Sequence, residues 1–260
     1  METKNRFNLR HAEEISNQLD LGEILKYKEI SHRRVSRTKK FLIETEKGRF
    51  LAKFYEKNIP AYLDFLQWVH DRGLSCPRIL DTSPRYSSFS EDPFLIYSFL
   101  EGKLKDTLQE EELEKVGGLL SELHDFSDDY LYQGKYNSEG IVHGDLGTHN
   151  LVTNQERIYL IDFDEMKIRP YMRDVADFMF YYELKQLQKE KPLVKMNAFV
   201  ESYKDGRKIN FSKSFLQNEI LKRSEWFLKF SKGKYEIGHI DINQLNRRQE
   251  LTKEIKSYLL

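Results

Sequence analysis

The residues able to do chemistry in this sequence are His143, Asp145, Asn150 and Asp162. They follow the order His143-x-Asp145-x4-Asn150-x11-Asp162. The first three share one stretch, IVHGDLGTHNLV, and Asp162 closes the apolar run IYLID. A carboxylate set directly after an apolar strand is costly to bury unless it is paired or bound to a cation. Asn150 and Asp162 offer one neutral and one anionic oxygen. That pair suits a hard cation that takes few protein ligands, keeps its waters and binds phosphates, which describes Mg²⁺. Asp145 then stands beside the cation as an acceptor for a hydroxyl proton. Taken singly, Asp145 and Asn150 are also residues that tie loop backbones. The ordered set, flanked by strand patterns, points to chemistry.

The surrounding pattern predicts the elements that must hold these groups. Roughly the first 25 residues read as a helix, with Leu9, Ile15, Leu19 and Leu21 as its spaced apolar positions. KKFLIETEKGRFLAKFY predicts two strands around a turn at Glu46-Lys47-Gly48. IPAYLDFLQWVHDRG predicts a helix with Pro60 in its first turn and Gly73 at its C-terminal end. SCPRILDT and PFLIYSFLEGK read as further strands. From Asp106 the pattern turns helical, is interrupted by the His143 loop and by a hairpin, NLVTN with RIYLIDFD, and is helical again after Asp174. Strands followed by helices predict an α+β chain with a small sheet lobe over residues 1–100 and a mainly helical lobe over 101–260.

Composition narrows the class. The 260 residues carry 42 Lys+Arg against 42 Asp+Glu, a formal net charge of zero. That balance gives no global pull toward nucleic acid or an anionic membrane. Cys76 is the single cysteine, so the chain cannot close a disulfide on itself, which fits a reducing compartment. The N-terminus has no apolar core of a signal peptide, and no run approaches a membrane span. A cytoplasmic protein with no membrane or nucleic-acid partner is the expectation.

HGDLGTHN followed by IDFD resembles the aminoglycoside phosphotransferase and choline kinase branch of the protein-kinase-like fold. The resemblance implies a two-lobed fold: a small N-terminal antiparallel-sheet lobe that binds nucleotide and a larger helical lobe for catalysis and substrate. It implies transfer of the γ-phosphate of ATP, with Mg²⁺, to a hydroxyl of a small molecule. On that match Asp145 is the catalytic base, Asn150 and Asp162 hold metal, Asp164 is a weaker metal candidate, and His143 orients the loop. Lys53 in GRFLAKFY resembles the lysine that steadies the nucleotide phosphates. In PFLIYSFLEGK the carbonyl of Ser98 and the amide of Leu100 would pair with adenine. Asp174, in YMRDVADFMFY, would anchor the catalytic loop backbone. The match runs from about residue 40 to 182.

Two departures stand out. The family's lysine pairs with a glutamate on the next helix, where this chain has Tyr62; Asp64 lies about 200° further around. The nucleotide-covering loop is expected to be rich in glycine, yet the chain has EISHRRVSRTKKF, with Ser31, Ser36 and Thr38 among basic residues. Both departures leave open a kinase-fold protein with a binding or structural role, like spore-coat proteins of the CotS type. A protein kinase fits less well, because Asp174 follows Asp164 by ten residues and no activation segment has room. Charges between Glu183 and Glu225, including Lys185, Lys204 and Arg207, nearly cancel and select no acceptor.

Overall fold

A computed structural model of the chain describes residues 9–30, 38–55, 60–81, 94–133, 138–155, 157–188, 196–209 and 211–259. The chain divides into two compact units, Met1–Glu101 and Gly102–Leu260.

Among the described residues the first unit is a five-stranded antiparallel sheet with two helices. Strands β1 (Ile24–Glu29), β2 (Thr38–Thr45), β3 (Gly48–Tyr55), β4 (Ile79–Asp81) and β5 (Phe94–Ser98) lie in the order β1-β2-β3-β5-β4. The β2–β3 hairpin forms where the sequence predicts it, in full register from Thr45↔Gly48 to Thr38↔Tyr55. Period-two alternation sorts β3 into two faces. Ala52 and Phe54 point to a core with Phe41, Ile43, Phe94 and Ile96, and helix α1 (Leu9–Gln18) covers it through Ala12 and Ile15. Burying one such side chain contributes roughly 1.5–3 kcal/mol. The N-terminal helix is shorter than predicted. It stops at Gln18, positive φ at Asp20 and Gly22 turns the chain, and β1 begins at Ile24. Leu9 is exposed rather than core.

Helix α2 (Leu63–Asp71) is also shorter at its start than expected. Pro60 lies before it, and Tyr62 is its N-cap in a left-handed conformation, φ 64. Its end follows the sequence: Gly73 takes φ +101, and Leu74 N–H returns to Val69 O at 3.1 Å. Cys76 is buried, as a small apolar side chain would be.

The second unit is mainly helical. Helix α3 (Glu110–Tyr132) starts with three glutamates, which suit the positive end of its dipole, and Glu112 accepts from the Gln109 amide at 3.0 Å. Helices α4 (Met172–Gln188), α5 (Asn197–Arg207), α6 (Lys213–Glu236) and α7 (Ile242–Leu259) follow the site loops. Arg207, expected among the acceptor-facing charges, is instead interior. Its guanidinium is 1% exposed and sits 2.7 Å from both Asp125 and Asp128 of α3, which joins α5 to α3. Glu183 is interior too. Short strands complete the unit. β6 (Lys103–Leu104), β8 (Leu151–Asn154) and β9 (Arg157–Leu160) form one sheet, and β7 (Glu139–Val142) pairs with β10 (Lys167–Pro170). The β8–β9 hairpin is the predicted one; the pairings of β6 and β10 join distant segments. Among the described residues no helix is long and apolar enough to cross a membrane.

Candidate active site

The site in the second unit is built on those short strands. β7 delivers His143 at its end, and the β7–β10 ladder draws the His143 loop against residues 163–166. Gly144 sits at the crossing, with φ +83, and a Cβ there would lie 2.2 Å from the Glu165 carbonyl oxygen. Only glycine permits both the left-handed backbone and this approach.

His143 is buried and works through both ring nitrogens. Nε2 lies 2.9 Å from Ile161 O, and the Asp145 amide donates to Nδ1 at 3.4 Å. A carbonyl on Nε2 and an amide on Nδ1 require the proton on Nε2. Ile161 N–H in turn donates to Asn150 O at 3.0 Å. Ile161 is thus held on both sides, from His143 and from Asn150. The next residue, Asp162, takes φ 65 and ψ 60, an uncommon backbone for a residue with a side chain. Phe163 follows and packs its ring 4.7 Å from that of His143.

Asn150 ends a short 3-10 turn, Thr148–Asn150, and is buried. Its Nδ2 donates to the Asp145 carbonyl at 2.8 Å and lies 3.4 Å from Asp145 Oδ2. His149 Nε2 is also 3.4 Å from that Oδ2. Both neighbours of the Asp145 carboxylate therefore meet the same oxygen. The sequence singles out Asn150 but passes over His149.

Below the loop lies Asp174, fully buried. Its Oδ2 accepts from His143 N at 2.7 Å and its Oδ1 from Gly144 N at 2.9 Å. His124 Nε2, on α3, lies 3.2 Å from Oδ2, and the Tyr203 hydroxyl lies 2.8 Å from His124 Nδ1. Burial pushes the Asp174 carboxyl up, but the hydrogen bond from His124, with the backbone amide bonds, wins and holds it below the usual carboxylate range. Burial pushes His124 down, so it stays neutral, donating from Nε2 to Asp174 and accepting from Tyr203 at Nδ1. Asp174 thus anchors the loop backbone, and His124 and Tyr203 fix Asp174. Neither His124 nor Tyr203 belongs to a motif; the only signal was their place on apolar helical faces.

Asp164 falls in the 3-10 turn Phe163–Glu165, and the other expected residues lie in the first unit. Lys53 on β3 is 3% exposed, on the face opposite Ala52 and Phe54. Its direct cross-strand partner is Lys40. Asp64 is exposed on α2, unlike Lys53. Ser98 ends β5; its amide donates to Arg78 O at 2.9 Å and its hydroxyl accepts from Arg78 N at 3.0 Å. Leu100 lies just past the strand, half-buried. Ser31 and Ser36 of the expected phosphate loop lie outside the described residues.

A sequence model of the phosphotransferase enzyme family matches residues 26–137 and 135–191. The chain belongs to this family. Of the described residues that build the site, the matched span holds all but Tyr203. The chain is similar to the homoserine kinase of a Bradyrhizobium species, 32% identical over 112 residues, covering 40% of this chain and 34% of that protein. It spans about a third of the length of the curated relatives it matches. Among solved structures, a putative aminoglycoside phosphotransferase from Ralstonia eutropha is 11% identical with a TM-score of 0.73, covering 98% of both chains. An amicoumacin kinase, solved with AMP-PNP, Ca²⁺ and its antibiotic, is 11% identical with a TM-score of 0.65, covering 95% of this chain and 93% of that one. Those likenesses establish the kinase-like α+β fold of the family.

Proposed function

We propose that the protein is a small-molecule kinase that transfers the γ-phosphate of ATP to a hydroxyl. The observation that carries this reading is the arrangement of Asp145. Its backbone is tied through Asn150 and His143, and both side-chain contacts fall on Oδ2. Oδ1 then serves the incoming hydroxyl. As the acceptor oxygen attacks the γ-phosphorus, its proton passes to Asp145 and ADP leaves. Catalysis of this kind is mostly positioning and charge neutralisation.

Among the described residues no cluster of three or more His, Cys, Asp or Glu can hold a metal. Mg²⁺ beside a nucleotide does not need one, because phosphates and waters supply most of its ligands. Asn150 spends its amide nitrogen on Asp145, which leaves Oδ1 as a neutral oxygen ligand. Asp162 supplies the anionic one. Bound there, Mg²⁺ would neutralise charge on the phosphates. The amicoumacin kinase, of the same fold, was solved with Ca²⁺ and AMP-PNP, which supports a divalent cation beside the nucleotide. In the first unit, Lys53 with Lys40 opposite would meet the phosphates. The carbonyl of Ser98, whose other polar groups face Arg78, and the amide of Leu100 would meet adenine.

The acceptor is a small hydroxyl compound. Homoserine, choline and spectinomycin form the test panel, with ADP release read in the presence of Mg·ATP. Asp145→Asn is expected to lower turnover by about 10²–10⁴-fold while Mg·ATP binding persists, because the carboxamide keeps the shape but takes no proton. Unchanged turnover in this variant would remove Asp145 as the base. ATP binding without turnover on any acceptor would instead favour a kinase-fold binding protein, the reading that Tyr62 outside the helix keeps open.

A further inference from the structure

The family match ends at residue 191, and α6 lies beyond it. Yet α6 sends one buried side chain back to the catalytic loop. Arg223 is 5% exposed, and its Nε lies 2.8 Å from Asp177 Oδ1 on α4. Arg173, one turn earlier on α4, lies 3.2 Å from the same oxygen. Burial pushes the Asp177 carboxyl up to about 7 against the pull of both guanidinium groups, and the contacts are ones of proximity rather than aligned hydrogen bonds. From beside Asp177, Arg223 reaches Tyr181 twice. Its Nη2 donates to the Tyr181 hydroxyl, and its guanidinium lies 4.7 Å from the Tyr181 ring centre. The guanidinium also lies 4.2 Å from the Trp226 ring centre. The Tyr181 ring then meets the His149 ring at a right angle, with centroids 5.8 Å apart. His149 Nε2 is the group that faces Asp145 Oδ2.

We propose that Arg223 is a positioning residue for phosphoryl transfer: it locks Tyr181, whose ring holds His149 against Oδ2 of Asp145. This rests on Asp145 being the base. With Oδ2 contacted by His149 and Asn150, rotation of the carboxylate is restrained, and Oδ1 keeps its aim at the acceptor hydroxyl. A guanidinium suits this place, because it lies beside Asp177, donates to a hydroxyl and contacts two aromatic rings at once. An ammonium has no plane to stack.

Arg223→Lys keeps the charge beside Asp177 and gives up the stack. Tyr181→Phe keeps the ring and gives up the hydroxyl. His149→Ala cuts the last link. Each is expected to lower kcat by about tenfold or more, with KM for Mg·ATP unchanged, since misplacing a reacting group by a fraction of an ångström is that costly. Tyr181→Phe combined with His149→Ala should be no worse than His149→Ala alone, because both act through one chain of contacts. In the folded protein, the ring NMR signal of His149, assigned by its loss in His149→Ala, should shift in both Tyr181→Phe and Arg223→Lys. Wild-type kcat in Tyr181→Phe and Arg223→Lys, or losses that multiply in the double variant, would overturn the proposal. Asp145→Asn run alongside separates the two claims. If it is inactive while Arg223→Lys and Tyr181→Phe are normal, only the positioning role fails. If it is active, the base assignment fails and this role goes with it.

Discussion

Replacing Asp174 by Asn should loosen the catalytic loop without unfolding the chain. The carboxylate is fully buried and accepts from His143 N at 2.7 Å, Gly144 N at 2.9 Å and His124 Nε2 at 3.2 Å. A carboxamide keeps one accepting oxygen and turns an NH2 toward a donor. One backbone amide loses its partner, and the remaining bonds lose their charge. Hydrogen bonds to charged groups contribute about 1.5–3 kcal/mol each, and a buried donor left alone costs about 1–3 kcal/mol. The expected loss is therefore about 2–4 kcal/mol, which a domain stable by roughly 5–15 kcal/mol survives. The chain holds two tryptophans, Trp68 on α2 and Trp226 on α6, one in each unit. In a Trp68→Phe background, urea unfolding followed by tryptophan fluorescence reads the second unit alone. Turnover should fall with stability, because Asp145 follows His143 and Gly144. A midpoint shift worth less than about 1 kcal/mol, together with unchanged turnover, would refute the anchoring role assigned to Asp174.

His124 is held neutral by burial, below its ordinary value of 6.5. An unfolded chain binds a proton there that the folded chain resists, so this group's contribution to stability is lost as pH falls below about 6.5. The slope approaches about 1.4 kcal/mol per pH unit, and His124→Gln should flatten it in unfolding titrations from pH 7 to 5. Gly144→Ala should destabilise by at least about 2 kcal/mol, because a Cβ would sit on the Glu165 carbonyl and φ is +83; a melting temperature equal to wild type would contradict the close crossing of the two loops. Asp162→Ala should remove the Mg²⁺-dependent part of ATP binding in calorimetry, whereas equal Mg²⁺ stimulation in both proteins would place the cation elsewhere.

Local pattern determined much of this protein. The β2–β3 hairpin, the β8–β9 hairpin and the capped end of α2 all stand where alternation, turn residues and Gly73 put them, because neighbours in sequence settle them. His143, Asp145 and Asn150 could be picked out for the same reason: their spacing fits on one loop, and the loop folds on itself. The start of α2 could not be read, because whether Pro60 opens the helix or precedes it depends on where the chain arrives from. Nor could the strands of two to four residues that bring the site together. β7 finds β10, and β6 finds β8, across long intervening segments, and such short runs carry no periodicity of their own. The interior charges were hidden most completely. Arg207 stands among acceptor-region charges that nearly cancel and Arg223 carries no signal in the sequence; only packing shows that Asp125, Asp128 and Asp177 face them. A sequence displays the type of a charged group but not its partner. Burying such a group is tolerable only when a distant segment supplies the opposite charge, so its role was decided by the tertiary structure alone.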